Sequence, residues 1–218
     1  MEIKVMKKIL EHTEKAAEEL KMNLKEKGVL YINLMSSPGS GKTTIIERTV
    51  RELPEYKIAV IEGDIQTTLD AERMAALGVK TYQINTGPFG GDCHLEAPWI
   101  ATAIHEMGIE DTDILFVENI GNLVCPAEFD VGAHYNVVVL SVTEGEDKPL
   151  KYPLAFKVSQ VTIISKTDLL PHLDISLEKL EENIKNVNPE MKIFPLSSKT
   201  GEGFEKWLEF LQQSRKFL

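Results

Sequence analysis

The stretch Ser36-Ser37-Pro38-Gly39-Ser40-Gly41-Lys42-Thr43 narrows the possible folds of this chain more than any other. It follows an apolar run over 29–35 and precedes an amphipathic segment over 44–53, so it reads as strand, loop and helix. In that setting Gly39 and Gly41 let the backbone wrap closely around an anionic group, with successive N–H groups turned inward. The positive end of the following helix adds to the same pocket. Lys42 is placed to reach the outer phosphates of a nucleotide, and the Thr43 hydroxyl to ligate Mg²⁺. Pro38, Gly39, Ser40, Gly41, Lys42, Thr43 and Thr44 are therefore the candidate phosphate contacts. The competing reading is a plain glycine turn between a strand and a helix. The pattern departs from G-x-x-x-x-G-K-[ST] at its first position, where Ser36 stands for glycine; residues 39–43 carry the contacts, so the change is expected to be tolerated.

The rest of the chain fits such a loop. A charged amphipathic helix is predicted over 5–27, stopped by Gly28. Strands are predicted over 29–35, 57–62, 79–84, 113–121, 136–142, 161–165 and 191–196. Helices are predicted over 44–53, from Thr67 or Thr68 as cap through 77, over 95–107, 176–187 and 204–217, with a short one before 161. Continuous apolar strands alternating with helices predict an α/β fold: a mostly parallel sheet with helices on both faces, plus the N-terminal helix. The predicted organisation is a helical extension over 1–28 and one nucleotide-binding domain over 29–218, with no repeats and no linker. Ligands in such sheets bind beyond the carboxyl ends of the strands, which is where the polar motifs fall.

The formal net charge of −10 argues against a nucleic-acid or anionic-membrane partner. It also requires a local basic and dipolar pocket to hold phosphates against the global field. Two cysteines, Cys93 and Cys125, are too few for a disulfide scaffold, and free or metal-bound thiols are expected over one bridge. No apolar stretch of signal-peptide or membrane-spanning kind follows Met1, so a cytoplasmic location is expected.

Ser165-Lys166-Thr167-Asp168 resembles the base-reading N/T-K-x-D motif of GTPases. An aspartate carboxylate accepts both the ring N–H and the exocyclic amine of guanine, a donor pair that adenine does not present. Asp168 is therefore expected to select GTP over ATP, with the stem of Lys166 against the base. Ser165 in the asparagine position is expected to loosen the loop or one base contact. Leu196-Ser197-Ser198-Lys199 resembles the last base-contacting loop of the same class, making Ser197, Ser198 and Lys199 further candidates. Thr43, Asp64 and Glu118 offer hard oxygen donors for Mg²⁺. Glu118-Asn119-Ile120-Gly121 fills the slot of a γ-phosphate-sensing D-x-x-G, so the Gly121 N–H is expected to meet that phosphate. The residue after Gly121 is Asn122, not glutamine. Asp64 is therefore the candidate to orient the attacking water, with a helix cap as its competing role, and Lys42 is the other catalytic candidate. No arginine finger is evident, so intrinsic turnover is expected to be slow.

Cys93-His94 and Cys125 also lie beyond strand ends. Thiolate with imidazole suits Zn²⁺ or Ni²⁺ better than Mg²⁺ or Ca²⁺, although spacing alone fits buried, inert residues equally well. Taken together, the phosphate loop, Gly91-Asp92-Cys93-His94-Leu95, residues 118–126 and residues 142–148 resemble the hydrogenase nickel-incorporation GTPases, the HypB family. The resemblance runs from about Val29 onward. It implies a P-loop NTPase fold of the SIMIBI class of GTPases and a GTP-driven metallochaperone. It further implies help in delivering nickel to the [NiFe]-hydrogenase large-subunit precursor, a zinc-containing nickel-binding maturation partner, and a homodimer formed when GTP is bound. Cys93, His94 and Cys125 would be its Ni²⁺ or Zn²⁺ site, and Lys148 would reach the nucleotide of the other subunit. Many members carry an N-terminal cysteine motif or histidine tract; this chain has no cysteine before Cys93 and only His12 in its leading helix, so the Cys93–Cys125 region is expected to be the one sizeable transition-metal site. Three ligands fall one short of a closed tetrahedral site, which predicts a metal at a two-fold dimer axis. The alternatives are a urease-type or other metal-insertion GTPase, a phosphotransfer kinase that has no need of Asp168, and a passive metal store that has no need of the loop.

Overall fold

The computed structural model describes residues 2–64, 69–87 and 93–218. The first helix, α1 (Glu2–Glu26), starts somewhat earlier than its apolar spacing predicts. Strand β1 (Leu30–Ser36) follows, buried along its whole length, and leads through the phosphate loop into α2 (Lys42–Glu52). That helix begins two residues before the predicted start, because Gly41 in a left-handed conformation (φ 99°) is its N-cap. Next come β2 (Ile58–Asp64), α3 (Leu69–Ala76), β3 (Lys80–Asn85), α4 (Ala97–Met107) and β4 (Ile114–Glu118). Thr67 and Thr68, the predicted caps of α3, lie outside the described residues. A four-residue helix α5 (Cys125–Glu128) precedes β5 (Tyr135–Ser141), and two short helices, α6 (Lys148–Lys151) and α7 (Pro153–Lys157), precede β6 (Val161–Ser165). The chain ends with α8 (Leu177–Val187), β7 (Lys192–Pro195) and α9 (Phe204–Lys216).

All seven strands are parallel, in the order β3-β2-β4-β1-β5-β6-β7. Central strands of such a sheet are covered on both faces, which is why they read as unbroken apolar runs. Period-two alternation divides β1 between the faces. Leu30, Ile32 and Leu34 pack with Ile45 and Ile46 of α2 and Trp207 of α9. Tyr31 packs on the opposite face with Leu20 and Leu24 of α1 and Ile104 of α4. The indole N–H of Trp207 donates to Thr49 Oγ1 (3.1 Å), so the largest core side chain leaves no polar atom stranded. Because β1 lies between β4 and β5, the loops after β1, β2 and β4 open on one edge, at the point where the strand order reverses. Among the described residues no helix is long and apolar enough to cross a membrane.

His134 fastens α1 to the sheet. Its Nδ1 accepts from the Tyr31 N–H (2.9 Å), and Nε2 lies 3.2 Å from the Lys21 carbonyl, which fixes the neutral Nε2–H tautomer. Burial lowers the pKa of the ring to about 4; the Lys21 carbonyl works against this, and the charges of Lys21 and Lys25 add to it. The folded state thus favours neutral His134. Its contribution is complete above the ordinary value near 6.5 and is lost as pH falls toward about 4. His134→Ala should destabilise by about 2 kcal/mol by leaving the Tyr31 N–H unpaired. That is a fall in Tm of roughly 4–8 °C at pH 7.5 for a chain of this size. The Tm gap between variant and wild type should narrow between pH 6.5 and 4; a gap constant with pH would contradict this role.

Candidate functional site: a phosphate and base cleft beside a cysteine pair

The loop after β1 is shaped by two glycines with positive φ, Gly39 (73°) and Gly41 (99°), a region costly for other residues. Lys42 is buried, with Nζ 3.0 Å from Ser36 Oγ and 3.7 Å from Glu118 Oε1. Ser36 is thus more than a tolerated replacement for glycine: its hydroxyl holds the phosphate-loop lysine. Ser40 Oγ donates to Glu144 Oε1 (2.7 Å), which also accepts from the Ser141 N–H (3.0 Å), while Lys148 lies 3.2 Å from Glu144 Oε2. Burial opposes the charge on Glu144, but hydrogen bonds from Ser37, Ser40, Ser141 and Lys148 outweigh it and lower its pKa. In this single chain Lys148 is therefore engaged with Glu144 and lies over the Tyr152 ring (4.8 Å).

A cavity of about 520 Å³ opens above this loop, lined by Gly39, Gly41, Lys42, Thr43, Thr44 and Pro38 together with Asp64, Glu118 and Gly121. The three candidate Mg²⁺ ligands thus share one cavity. Thr43 Oγ1 donates to Glu118 Oε1 (3.0 Å), a hydroxyl–carboxylate pair with the hard oxygen chemistry that Mg²⁺ selects. Asp64 is the last residue of β2, which runs beyond the predicted strand end at 62. Gly121 is pressed against the loop: a Cβ there would lie 3.1 Å from Pro38 Cα. Glu62, Arg73, Gln83 and Asn119 also line the cavity, none of them a site candidate from the sequence alone. Asn119 Oδ1 accepts from the Ile120 N–H (3.0 Å) and the Leu95 N–H (3.3 Å), and Nδ2 donates to Asn33 Oδ1 (3.2 Å). One side chain in the phosphate cavity is thereby bonded to the backbone directly after His94.

A second cavity of about 280 Å³ adjoins the first, lined by Lys166, Asp168, Ser198 and Lys199 with Ser40, Gly41 and Thr44. Lys166 adopts φ 60°, the one positive φ of a non-glycine among the described residues, and its Nζ donates to the Gly39 carbonyl (2.7 Å). Such a conformation is costly and persists where neighbours over-determine it. Two expectations need correction. Ser165 does not loosen the loop; buried at the end of β6, it donates to the Ser40 carbonyl (2.7 Å) and ties the base loop to the phosphate loop. Ser197 does not face the cavity; it is fully buried and donates to Asp168 Oδ1 (2.6 Å), so it positions the Asp168 carboxylate. Arg48 Nη1 donates to the Ser198 carbonyl (2.9 Å) and holds the serine loop to α2.

The thiols differ most from expectation. Cys93 and Cys125, expected as free or metal-bound, are joined by a disulfide, with Cα atoms 6.1 Å apart. That separation is ordinary for a bridge, and a bridged pair has no thiolate to offer a metal. Cys125 opens helix α5. His94 stacks on Phe129 (3.8 Å between ring centroids) and on Trp99 (6.3 Å), with Nε2 3.7 Å from Glu96 Oε1. Neither of its ring nitrogens makes a hydrogen bond to a described residue. Among the described residues no three His, Cys, Asp or Glu side chains are grouped to hold a metal, so one oxidised chain does not assemble the predicted ligand set.

A parallel sheet with a glycine-lysine-threonine loop after its central strand, carboxylates at the next strand ends and an adjoining base cavity defines a P-loop NTPase. The model of the CobW/HypB/UreG nucleotide-binding domain matches residues 30–195. The chain is 46% identical over 208 residues to hydrogenase maturation factor HypB of Escherichia coli (strain K12), an alignment covering 95% of this chain and 71% of that one. The solved structure of HypB from Helicobacter pylori in complex with nickel has a TM-score of 0.88 at 40% identity, covering 94% of this chain and 95% of that one. HypB from Archaeoglobus fulgidus gives 0.87 at 39% identity, covering 94% and 100%. The chain belongs to the HypB family of hydrogenase maturation factors.

Proposed function

We propose that this protein is a slow GTPase whose nucleotide state controls the loading and release of nickel destined for the [NiFe]-hydrogenase large-subunit precursor. The observation that carries this reading is the Asn119 bridge. Asn119 lines the phosphate cavity, sits two residues before Gly121, and bonds the backbone beside Cys93-His94. Movement of the loop over 118–125 toward a γ-phosphate therefore pulls on both cysteine segments, the physical requirement for coupling two sites. Thr43, Asp64 and Glu118 would hold Mg²⁺, which neutralises phosphate charge when bound. Lys42 reaches the β- and γ-phosphates, the Gly121 N–H meets the γ-phosphate, and Asp64 orients the attacking water.

Nickel, or zinc in its place, is the cargo of the Cys93, His94 and Cys125 site. Loading requires the disulfide to gain two electrons and two protons from a dithiol reductant, which itself becomes a disulfide; the thiols then deprotonate on binding metal. Two reduced chains bring four thiolates and two imidazoles to one axis, which completes a coordination sphere that a single chain leaves short. The extension over 1–28 and the GTPase domain over 29–218 act together as a GTP-dependent homodimer in the cytoplasm, receiving nickel from a zinc-containing nickel-binding maturation partner. The test is hydrolysis of GTP and of ATP by the reduced protein, with and without Ni²⁺, alongside gel-filtration mass. Slow, GTP-selective hydrolysis and a dimer that forms with non-hydrolysable GTP are expected. ATP preference with phosphate moved to a small molecule, or turnover in the tens per second without any partner, would overturn the reading.

A further inference from the structure

Arg73 of α3 lines the phosphate cavity from the β2–β3 side. Its guanidinium is held as a fork by Glu47 of α2, Nε to Oε1 at 3.0 Å and Nη2 to Oε2 at 2.8 Å. The arginine side chain is 45% exposed, so the pair sits at the cavity rim, where such pairs add little to stability. Glu62, Asp64 and Glu118 line the cavity; the ammonium of Lys42 already lies beside Glu118, and that of Lys166 is bonded to Gly39 on the base side. Among the described lining residues Arg73 is the remaining cation, and a permanently charged one whose planar fork matches a phosphate as well as it matches the Glu47 carboxylate.

We propose that Arg73 is a catalytic arginine supplied by the chain itself, which exchanges Glu47 for the γ-phosphate of bound GTP. This rests on the GTPase reading of the site. In the reaction the water oxygen bonds to the γ-phosphorus while the bond from that phosphorus to the β–γ bridging oxygen breaks. The electron pair remains on the β-phosphate of GDP, and the protons of the water pass to inorganic phosphate and solvent. Negative charge thus shifts toward the bridging oxygen as the bond breaks. A guanidinium donating there binds the transition state more strongly than the ground state and so raises kcat with little change in KM. Competition from Glu47 keeps the basal rate low.

The test is steady-state GTP hydrolysis by the full chain and its Arg73→Ala, Arg73→Lys and Glu47→Gln variants, with Tm measured for each. Arg73→Ala should lower kcat about 10- to 100-fold, the gap between the intrinsic rates of a GTPase with no placed arginine and one with its arginine in cis. KM should stay within about threefold, since ground-state binding is little changed. Arg73→Lys, which keeps the charge but not the fork, should fall between, and Glu47→Gln should hydrolyse at the wild-type rate or faster. If Arg73→Ala keeps kcat within about twofold of wild type, the proposal fails. Equal losses of kcat and Tm in Arg73→Ala and Glu47→Gln would also overturn it, leaving a helix-to-helix clasp. A wild-type protein that does not hydrolyse GTP would instead sink the GTPase reading, and this proposal with it.

Discussion

Asp168→Asn is expected to weaken binding of GDP and GTP by about 10²-fold or more while improving binding of the xanthine nucleotides. Asp168 lines the base cavity with Lys166, Ser198 and Lys199, and its carboxylate is held by the buried Ser197 hydroxyl. Two acceptor oxygens facing one edge of a base match a ring N–H beside an exocyclic amine, which is the edge of guanine. An asparagine keeps one acceptor and presents a donor where the second stood, so one guanine donor meets another. Losing a charge-assisted contact of this kind costs about 3 kcal/mol, and 1.4 kcal/mol is a factor of ten in affinity. Xanthine carries an oxygen in place of the exocyclic amine and so accepts from the new amide, which turns the clash into a bond. Titration with fluorescent GDP and XDP analogues measures both effects. An Asp168→Asn protein that binds GDP within about threefold of wild type would show that the base is read elsewhere.

The architecture and the phosphate loop are legible in the sequence because they rest on local rules. Strands buried on both faces, such as β4 and β6, leave apolar runs that need no knowledge of their neighbours. The order glycine, glycine, lysine, threonine after such a run rarely arises outside a phosphate-binding loop. The residues that the sequence hides act over long separations. Ser165 reads as a weakness in its loop, because nothing nearby reveals that its hydroxyl bonds a carbonyl 125 residues earlier. Ser197 reads as a base contact when its partner is Asp168, 29 residues away. Arg73 looks like any charged residue on an exposed helix face; only the packing of α3 beside β2 brings it to the cavity rim. Asn119 stands in a motif recognised for Gly121, yet its amide is what links the phosphate cavity to the segment beside Cys93. The spacing of the two cysteines says nothing about their distance in space, so composition points to free thiols where the fold pairs them.

That pairing gives the second large expected effect: Cys93→Ser with Cys125→Ser should abolish nickel binding by the reduced dimer. Both sulfur atoms converge at one place in the fold, and the ring nitrogens of His94, the residue next to Cys93, make no hydrogen bond to a described residue. A serine hydroxyl is a hard, neutral donor that does not deprotonate at neutral pH, so it cannot replace a thiolate for a borderline metal. Substituting both residues removes four of the six donors of the proposed two-chain site, and imidazoles alone cannot complete it. Metal content per dimer, measured after equilibrium dialysis against Ni²⁺ in the presence of a thiol reductant, should fall to background. The wild-type protein should respond to two further variables. Oxidation that closes the disulfide should expel the metal, because a bridged sulfur pair offers no thiolate. Lowering the pH should release it as well, since protons compete for the same thiolates. Unchanged nickel content in the doubly substituted protein would place the cargo elsewhere and detach the cysteine pair from the nucleotide switch.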